Sequence, residues 1–196
     1  MVAWGKFLGA LGFSIAVLLI VFIGSELFTG NNFIMAFGAY DKAVKWSEVV
    51  KVWVVSYIGN FVGCFLFSGI WVLAGASGTQ DYFAGFIDGK LGIAPGEMFF
   101  RAVLCNFFVC LAVACGTKCK EEAAKFLMIV ICISGFVISG FEHVVANMAI
   151  FTVAGFVVPG VSISAIMFSM LIVTLGNIVG GALLLALPLR KMSADK

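Results

Sequence analysis

Five long apolar segments dominate this sequence and restrict the folds that it can adopt. A membrane-spanning helix needs about 20 consecutive apolar residues, and the segments that reach this length are residues 7–36, 50–75, 97–117, 124–157 and 164–188. Charged residues make up 11% of the chain, against about 25% in soluble domains. A soluble fold of 196 residues could not bury so much apolar surface. The sequence predicts an all-α, polytopic protein of the cell membrane.

Two of the five segments contain polar stretches at the depth of the bilayer centre. The first contains Ser25–Asn32 (SELFTGNN) and the fourth contains Gly140–Asn147 (GFEHVVAN). Acidic, amide and imidazole side chains are costly in lipid unless they line a cavity or meet polar partners. We therefore predict that both segments are broken helices, unwound near Gly24–Asn32 and Gly140–Asn147.

Lysine and arginine residues are concentrated in every second connection. The basic connections are the 40–51 loop, the 117–125 loop and the C-terminal tail, which includes Lys196. The 76–97 loop carries one lysine beside three acidic residues, and the 158–163 connection is uncharged. Because cytoplasmic loops carry an excess of Lys and Arg, we expect a cytoplasmic C-terminus and an external Met1.

The two polar stretches belong to an internal repeat. Glu26 and Glu142 each follow a glycine by two positions and precede an asparagine by five. A Gly-Asn motif comes next, 33 residues from Glu26 to Gly59 and 34 residues from Glu142 to Gly176. Two halves of three spans that face opposite ways form the inverted repeat of many transport folds. The sequence therefore predicts an inverted repeat.

Only the second half has a span, residues 97–117, before its broken helix. We therefore interpret residues 1–75 as an incomplete first repeat and 97–188 as the second, within one transmembrane domain, 1–196. Five spans of an expected six are thus predicted. The glycines at four-residue spacing are expected to pack helices closely together; they are Gly59, Gly63, Gly176, Gly180 and Gly181.

Charge and composition argue against several other classes of function. The net charge of +2 is too small for a nucleic-acid surface. His143 is the only histidine, so we expect reduced thiols, no metal site and no haem. The sequence has no Walker or dinucleotide-binding motif. We expect no cofactor and no enzymatic activity.

The SELFTGNN stretch, the GFEHVVANM stretch and Arg101–Val113 (RAVLCNFFVCLAV) together resemble the formate/nitrite transporter family, which includes hydrosulfide channels and microbial lactate transporters. The resemblance runs from Met1 to about Leu189. It implies an aquaporin-like protomer with its own pore, a homopentamer, and six spans with both ends cytoplasmic. This chain departs from that pattern because the first span is absent from it.

The resemblance also implies a function. The implied function is that of a membrane channel, or of a proton-coupled transporter, for a small monovalent anion of a weak acid such as formate, nitrite or hydrosulfide. The implied partners are this anion, protons, membrane lipid and further copies of the chain.

The resemblance places the central pore residues at the two breaks. His143 matches the family's central histidine, and an imidazole, which titrates near pH 6.5, can lend a proton or a hydrogen bond to a passing anion. Glu142 matches the acid that orients this site, and Thr29 matches a threonine that faces the histidine. Asn147 and Asn106 match positions that supply amides near the pore.

The residues alone leave other roles open for these side chains. Glu142 and Glu26 could pin the unwound backbone, Thr29 could cap a helix, and the two asparagines could pair helices. His143 at membrane depth beside an acid favours a functional role over a core role.

Lys90 matches a family lysine that draws anions into a vestibule, and the alternative is an ordinary solvated lysine. Four residues match hydrophobic constrictions that flank the histidine, where narrow apolar necks exclude hydrated ions. They are Phe13, Val17, Leu27 and Phe136. Without the resemblance, such side chains are interpreted as packed or lipid-facing.

Two other functions remain open from the sequence. A neutral-solute pore of the aquaporin or ammonia type shares the inverted-repeat design, but it would usually carry paired N-P-A loops, which this sequence lacks. The second is that of a truncated membrane subunit that transports no solute, and the absent first span keeps this interpretation open.

Overall fold

A computed structural model describes residues 2–194, and for residues 2, 3, 76, 77 and 194 it describes the backbone alone. Met1 and Lys196, which entered the orientation argument, lie outside the described residues. Every regular element in the described range is helical. The helices are α1 (Val2–Ile23), α2 (Phe28–Tyr40), α3 (Trp46–Leu73), α4 (Gln80–Leu91), α5 (Pro95–Lys118), α6 (Glu122–Ile138), α7 (Val144–Val157), α8 (Ile163–Ile178) and α9 (Leu187–Ala194). A 3₁₀ turn (Ala76–Thr79) precedes α4, and a π-helical stretch (Val179–Ala186) joins α8 to α9.

Both predicted broken helices are present. The first separates α1 from α2 at residues 24–27, and the second separates α6 from α7 at residues 139–143. Gly24 (φ +78°) and Gly140 (φ +69°) adopt the left-handed conformation, which favours glycine and commonly ends a helix. Both breaks are shorter than predicted, because the helix resumes at Phe28 and Val144.

Within residues 2–194, four helical stretches are long and apolar enough to cross a membrane. They are Trp4–Ile23, Trp46–Leu73, Pro95–Lys118 and Ile163–Ser193. The fourth predicted span is divided between α6 and the short apolar helix α7. The 76–97 connection, predicted as a loop, contains α4, because Ile87 is buried there in a cluster that includes Met148 of α7.

Helix α5 lies at the centre of the fold and packs against α2, α6 and α8. Three buried apolar clusters surround it. At one end of the molecule, Arg190 Nε of α9 lies 2.6 Å from Asp41 Oδ1, just after α2. This ion pair places the start of the 40–51 loop and the C-terminal helix at the same end, as the charge pattern requires.

The glycines of the second half pack as predicted, whereas their counterparts in the first half do not. A Cβ atom at Gly176 would lie 2.6 Å from the Phe99 carbonyl oxygen, and one at Gly180 would lie 2.2 Å from the Val103 carbonyl oxygen, both on α5. Gly59 and Gly63 on α3 have no such neighbour within 4 Å. Close packing at these two positions was expected and is absent among the described residues.

Alanine at Gly180 and at Gly63 should therefore have opposite effects. We expect Gly180→Ala to destabilise the fold by about 1–3 kcal/mol, because the new methyl group forces the π-helical stretch away from α5. Gly63→Ala should be neutral or stabilising, since alanine favours helix and meets no atom. Thermal unfolding in detergent measures both. Equal losses of stability would contradict the packing described here.

Candidate functional site

The second break holds a buried carboxylate beside a buried imidazole. Glu142 is 3% exposed and His143 is 4% exposed. Lys90 Nζ, from α4, lies 3.0 and 2.9 Å from the two Glu142 carboxylate oxygens. Asn147 Nδ2 donates to Glu142 Oε2 at 2.8 Å. These partners compensate a charge that would otherwise be costly to bury.

The His143 imidazole connects the two breaks. It is the N-cap of α7, where its Nδ1 accepts a hydrogen bond from the Ala146 N–H at 3.1 Å. Its Nε2 lies 2.9 Å from Thr29 Oγ1 in the first turn of α2. Because Nδ1 is an acceptor here, the hydrogen-bond network assigns the proton of the neutral ring to Nε2. The ring therefore presents an N–H to the Thr29 hydroxyl.

Asn177 of α8 binds the unwound backbone of the second break. Its Oδ1 accepts a hydrogen bond from Val144 N–H at 2.9 Å. Its Nδ2 donates to the carbonyl oxygens of Glu142 at 3.0 Å and of Ala102 at 2.8 Å. The bonds to Val144 and Glu142 supply partners for peptide groups that have none within a helix.

Asn60 of α3 makes the matching bonds to the first break. Its Oδ1 accepts from Phe28 N–H at 2.9 Å, and its Nδ2 donates to the Glu26 carbonyl oxygen at 3.1 Å. Asn31 Nδ2 donates to Glu26 Oε2 at 2.7 Å, as Asn147 does to Glu142. The sequence reasoning missed the roles of Asn60 and Asn177: the Gly-Asn motif marked both positions, but only its glycines were interpreted.

Asn106 of α5 lies behind the first break. It is fully buried, and its Nδ2 lies 3.2 Å from the Thr29 carbonyl oxygen, 3.1 Å from Asn32 Oδ1 and 2.6 Å from the Asn177 carbonyl oxygen. In this structure Asn106 therefore holds backbone around the site. The Asn147 amide is bonded to the Glu142 carboxylate instead.

The four predicted constriction residues belong to or pack against one apolar cluster, and two of them border the imidazole. The Phe136 ring stacks on His143 with centroids 5.9 Å apart, and the Phe13 ring meets it edge-on at 6.1 Å. The two phenylalanine rings are 5.8 Å apart. Val17, Leu27 and Phe136 share one buried cluster, and Phe13 packs against it. We call this cluster the apolar collar; its Phe13 and Phe136 rings border the imidazole.

Two cavities border this collar. The larger one, about 660 Å³, is lined by Phe13, Phe136 and His143, and it extends to Arg101 on α5. The smaller one, about 170 Å³, is lined by Leu27 and extends to Val113 and Thr117, further along α5. At a rise of 1.5 Å per helical residue, these parts of α5 are about 20 Å apart. The cavities therefore approach the collar from opposite ends.

The charges of the two cavities differ. The larger one is lined by Lys6, Lys90 and Arg101 together with Glu142, whereas the lining of the smaller one contains no lysine or arginine in the part of the chain that the structure describes. Of the three basic residues, sequence reasoning singled out only Lys90. Arg101 stands at the start of the RAVLCN motif and donates from Nη1 to the Gly140 carbonyl oxygen at 3.4 Å.

No group of three or more His, Cys, Asp or Glu side chains within residues 2–194 is placed to hold a metal ion. The chemistry that this site offers is a hydrogen-bond donor and a hydroxyl enclosed by apolar side chains, with basic residues on one side.

A multi-pass helical membrane protein with two broken helices that meet at a polar centre belongs to the class of channels and transporters. Comparison with known proteins identifies the family. A sequence model described as formate/nitrite transporter matches residues 2–190. The chain belongs to the formate/nitrite transporter family.

Individual relatives agree with this assignment. A probable formate transporter of Methanothermobacter thermautotrophicus is 37% identical in an alignment 193 positions long, which covers 89% of this chain and 70% of the relative. A solved structure titled "FNT family ion channel" superposes with a TM-score of 0.90 at 28% identity, over 95% of this chain and 77% of that one. Another, titled "Pentameric formate channel with formate bound", gives 0.84 at 25% identity, over 98% and 84%. The predicted family and aquaporin-like fold are confirmed.

The Lys90–Glu142 pair yields a test by double mutation. We expect Lys90→Met to lower stability by about 3 kcal/mol, because it leaves a buried carboxylate without its cation. Adding Glu142→Gln should recover most of this loss, since the amide is uncharged and can still bind Asn147. The free energies of unfolding in detergent of the parent, the two single variants and the double variant measure the coupling between the two charges. Additive losses would show that the two charges do not stabilise each other.

Proposed function

We propose that this chain conducts small monovalent anions of weak acids, such as formate, nitrite or hydrosulfide, through a pore in each protomer. The family and the named relatives support this substrate class. The observation that carries the proposal is the 2.9 Å contact between His143 Nε2 and Thr29 Oγ1. It lies at the meeting point of the two breaks, beside the apolar collar and at the wall of the larger cavity.

The proposed path runs from the larger cavity past Phe13 and Phe136 to His143 and Thr29. It continues past Leu27 into the smaller cavity. An anion on this path loses water at the apolar collar, where hydrated ions are disfavoured. The imidazole N–H and the Thr29 hydroxyl then replace part of the lost hydration.

Basic residues of the larger cavity are proposed to attract the anion. Lys90 spends two of its three N–H donors on Glu142, which leaves one donor for an incoming anion. Lys6 and Arg101 add positive charge to the same cavity. Since basic residues outnumber Glu142 in this lining, the cavity is net positive and raises the local concentration of anions. The attraction is thus shared, and Lys90 is not its only source.

His143 is proposed to couple the anion to a proton. Bare charge at the bilayer centre is costly by about 3 kcal/mol on insertion scales, and protonation of a weak-acid anion removes that charge. A proton can join the ring only at Nδ1, where it displaces the Ala146 N–H. The Nε2 proton then passes to the anion, and the Ala146 cap re-forms once Nδ1 gives up its proton and Nε2 regains one. Glu142 and Asn147 hold the break in place during this exchange.

Assembly and orientation complete the proposal. A homopentamer with five separate pores is supported by the pentameric formate channel that the fold resembles. A cytoplasmic C-terminus is supported by the basic 40–51 and 117–125 connections. Membrane lipid would then contact the exposed apolar faces of the assembly.

Two substitutions of His143 separate its capping role from its pore role. We expect His143→Asn to remain as stable as the parent, because asparagine is a good N-cap, and His143→Ala to lose about 1 kcal/mol. Both should lose the pH dependence of formate, nitrite and hydrosulfide flux, since neither carries Nε2. Flux into liposomes at several pH values measures this.

Native mass spectrometry controls for assembly, and each variant is expected at five chains. A His143→Asn protein that keeps the parent rate and pH profile would show that the histidine is structural. Flux of neutral solutes without anion flux would favour a pore of the aquaporin or ammonia type.

A further inference from the structure

Arg101 is a basic residue of the larger cavity whose side chain is held by two acceptors. Its Nη2 donates to the carboxylate of Glu97, which lies four residues earlier on α5. Its Nη1 donates to the carbonyl oxygen of Gly140, just after the end of α6, at 3.4 Å. Two acceptors from different elements therefore orient the guanidinium plane at the wall of the cavity.

The Arg101 guanidinium keeps donors for a further acceptor. An arginine side chain carries five N–H donors in one plane, and the bonds to Glu97 and Gly140 use one donor each. No other acceptor in residues 2–194 binds this side chain, which is 36% exposed. Three N–H donors are thus available to a solute in the cavity.

The other two basic residues of the cavity, Lys6 and Lys90, offer a different chemistry. A lysine ammonium is a compact charge with rotating donors, whereas a guanidinium presents parallel N–H groups that match two oxygens of one anion. Formate and nitrite are planar, and each has two oxygens that share the charge. Hydrosulfide has a single acceptor atom, so it cannot accept two parallel bonds at two atoms.

Arg101 lies close to the second break. Its own carbonyl oxygen accepts a hydrogen bond from Glu142 N–H at 3.4 Å, and Glu142 directly precedes His143. Arg101 and His143 also line the same cavity of about 660 Å³. An anion bound to Arg101 is therefore already in the cavity that leads to the apolar collar.

We propose that Arg101 forms a binding site that favours planar anions with two oxygens, such as formate and nitrite, over hydrosulfide. The lysines of the cavity attract every anion by charge, and the guanidinium adds a preference based on shape. Specificity is a difference between two affinities, and only the two-oxygen anions gain the second bond. This proposal rests on the proposed function, because it assumes that anions enter through the larger cavity.

Guanidinium NMR tests the binding step on the whole chain. Arg101 and Arg190 are the only arginines, so ¹⁵N-arginine labelling in detergent gives signals from two side chains, and Arg190→Lys assigns both. Arg190 is the matched control, because it pairs with Asp41 and does not line the larger cavity. At a pH where all three acids are ionised, formate and nitrite should shift the Arg101 signals with half-saturating concentrations at least fivefold below that of hydrosulfide. The Arg190 signals should not follow either titration.

Flux into liposomes tests whether this site affects selectivity. Arg101→Lys keeps the charge but loses the planar set of donors, whereas Lys6→Gln removes a charge from the same cavity and keeps the guanidinium. We expect Arg101→Lys to lower the ratio of formate to hydrosulfide permeability about fivefold. Lys6→Gln should lower both permeabilities and leave their ratio at the parent value. Melting temperatures in detergent show that both variants are folded.

Three results would overturn the proposal. One is an equal half-saturating concentration of formate and hydrosulfide at Arg101, and another is an equal shift of the Arg101 and Arg190 signals. The third is a parent-like permeability ratio in folded Arg101→Lys. A parent chain that conducts none of these anions would instead contradict the proposed function, and the titration would still decide whether Arg101 prefers two-oxygen anions.

Discussion

The structure depends on hydrogen bonds to the peptide groups that leave helical geometry in an apolar environment. Water is scarce at that depth, so each freed N–H and carbonyl group requires a partner in the protein. Asn60 and Asn177 each supply an acceptor to the helix that restarts and a donor to the break. With the breaks held in this way, α2 and α7 begin at the centre of the molecule, and their first turns can carry polar side chains.

The same constraint explains why the histidine lies where it does. The N-terminus of α7 needs an acceptor, and His143 Nδ1 provides it. Its other nitrogen then points across the centre to Thr29. A single conformation of His143 therefore caps α7 and presents an N–H to an anion. The stacked Phe136 ring keeps the imidazole in this orientation and limits its contact with water.

Much of the fold follows from patterns that the sequence displays directly. Apolar length located the spans, and the positive-φ positions of Gly24 and Gly140 coincide with the predicted breaks. The break lengths were overestimated, because polar residues such as Thr29 were assigned to unwound backbone when they begin a helix. The pairing of Lys90 with Glu142 could not be predicted from residues alone, since it depends on how α4 folds back over α7. The family resemblance supplied the Thr29 contact with His143, which spacing does not reveal.

The central claim is that a neutral His143 bridges the two breaks through an Nε2 proton. Because His143 is the only histidine of the chain, labelling with ¹⁵N-histidine gives the NMR signals of this ring alone. The account predicts a neutral imidazole protonated at Nε2, with an Nε2 resonance that moves in Thr29→Val and an Nδ1 resonance that does not. A ring protonated at Nδ1, or an Nε2 resonance unaffected by the loss of the Thr29 hydroxyl, would contradict it.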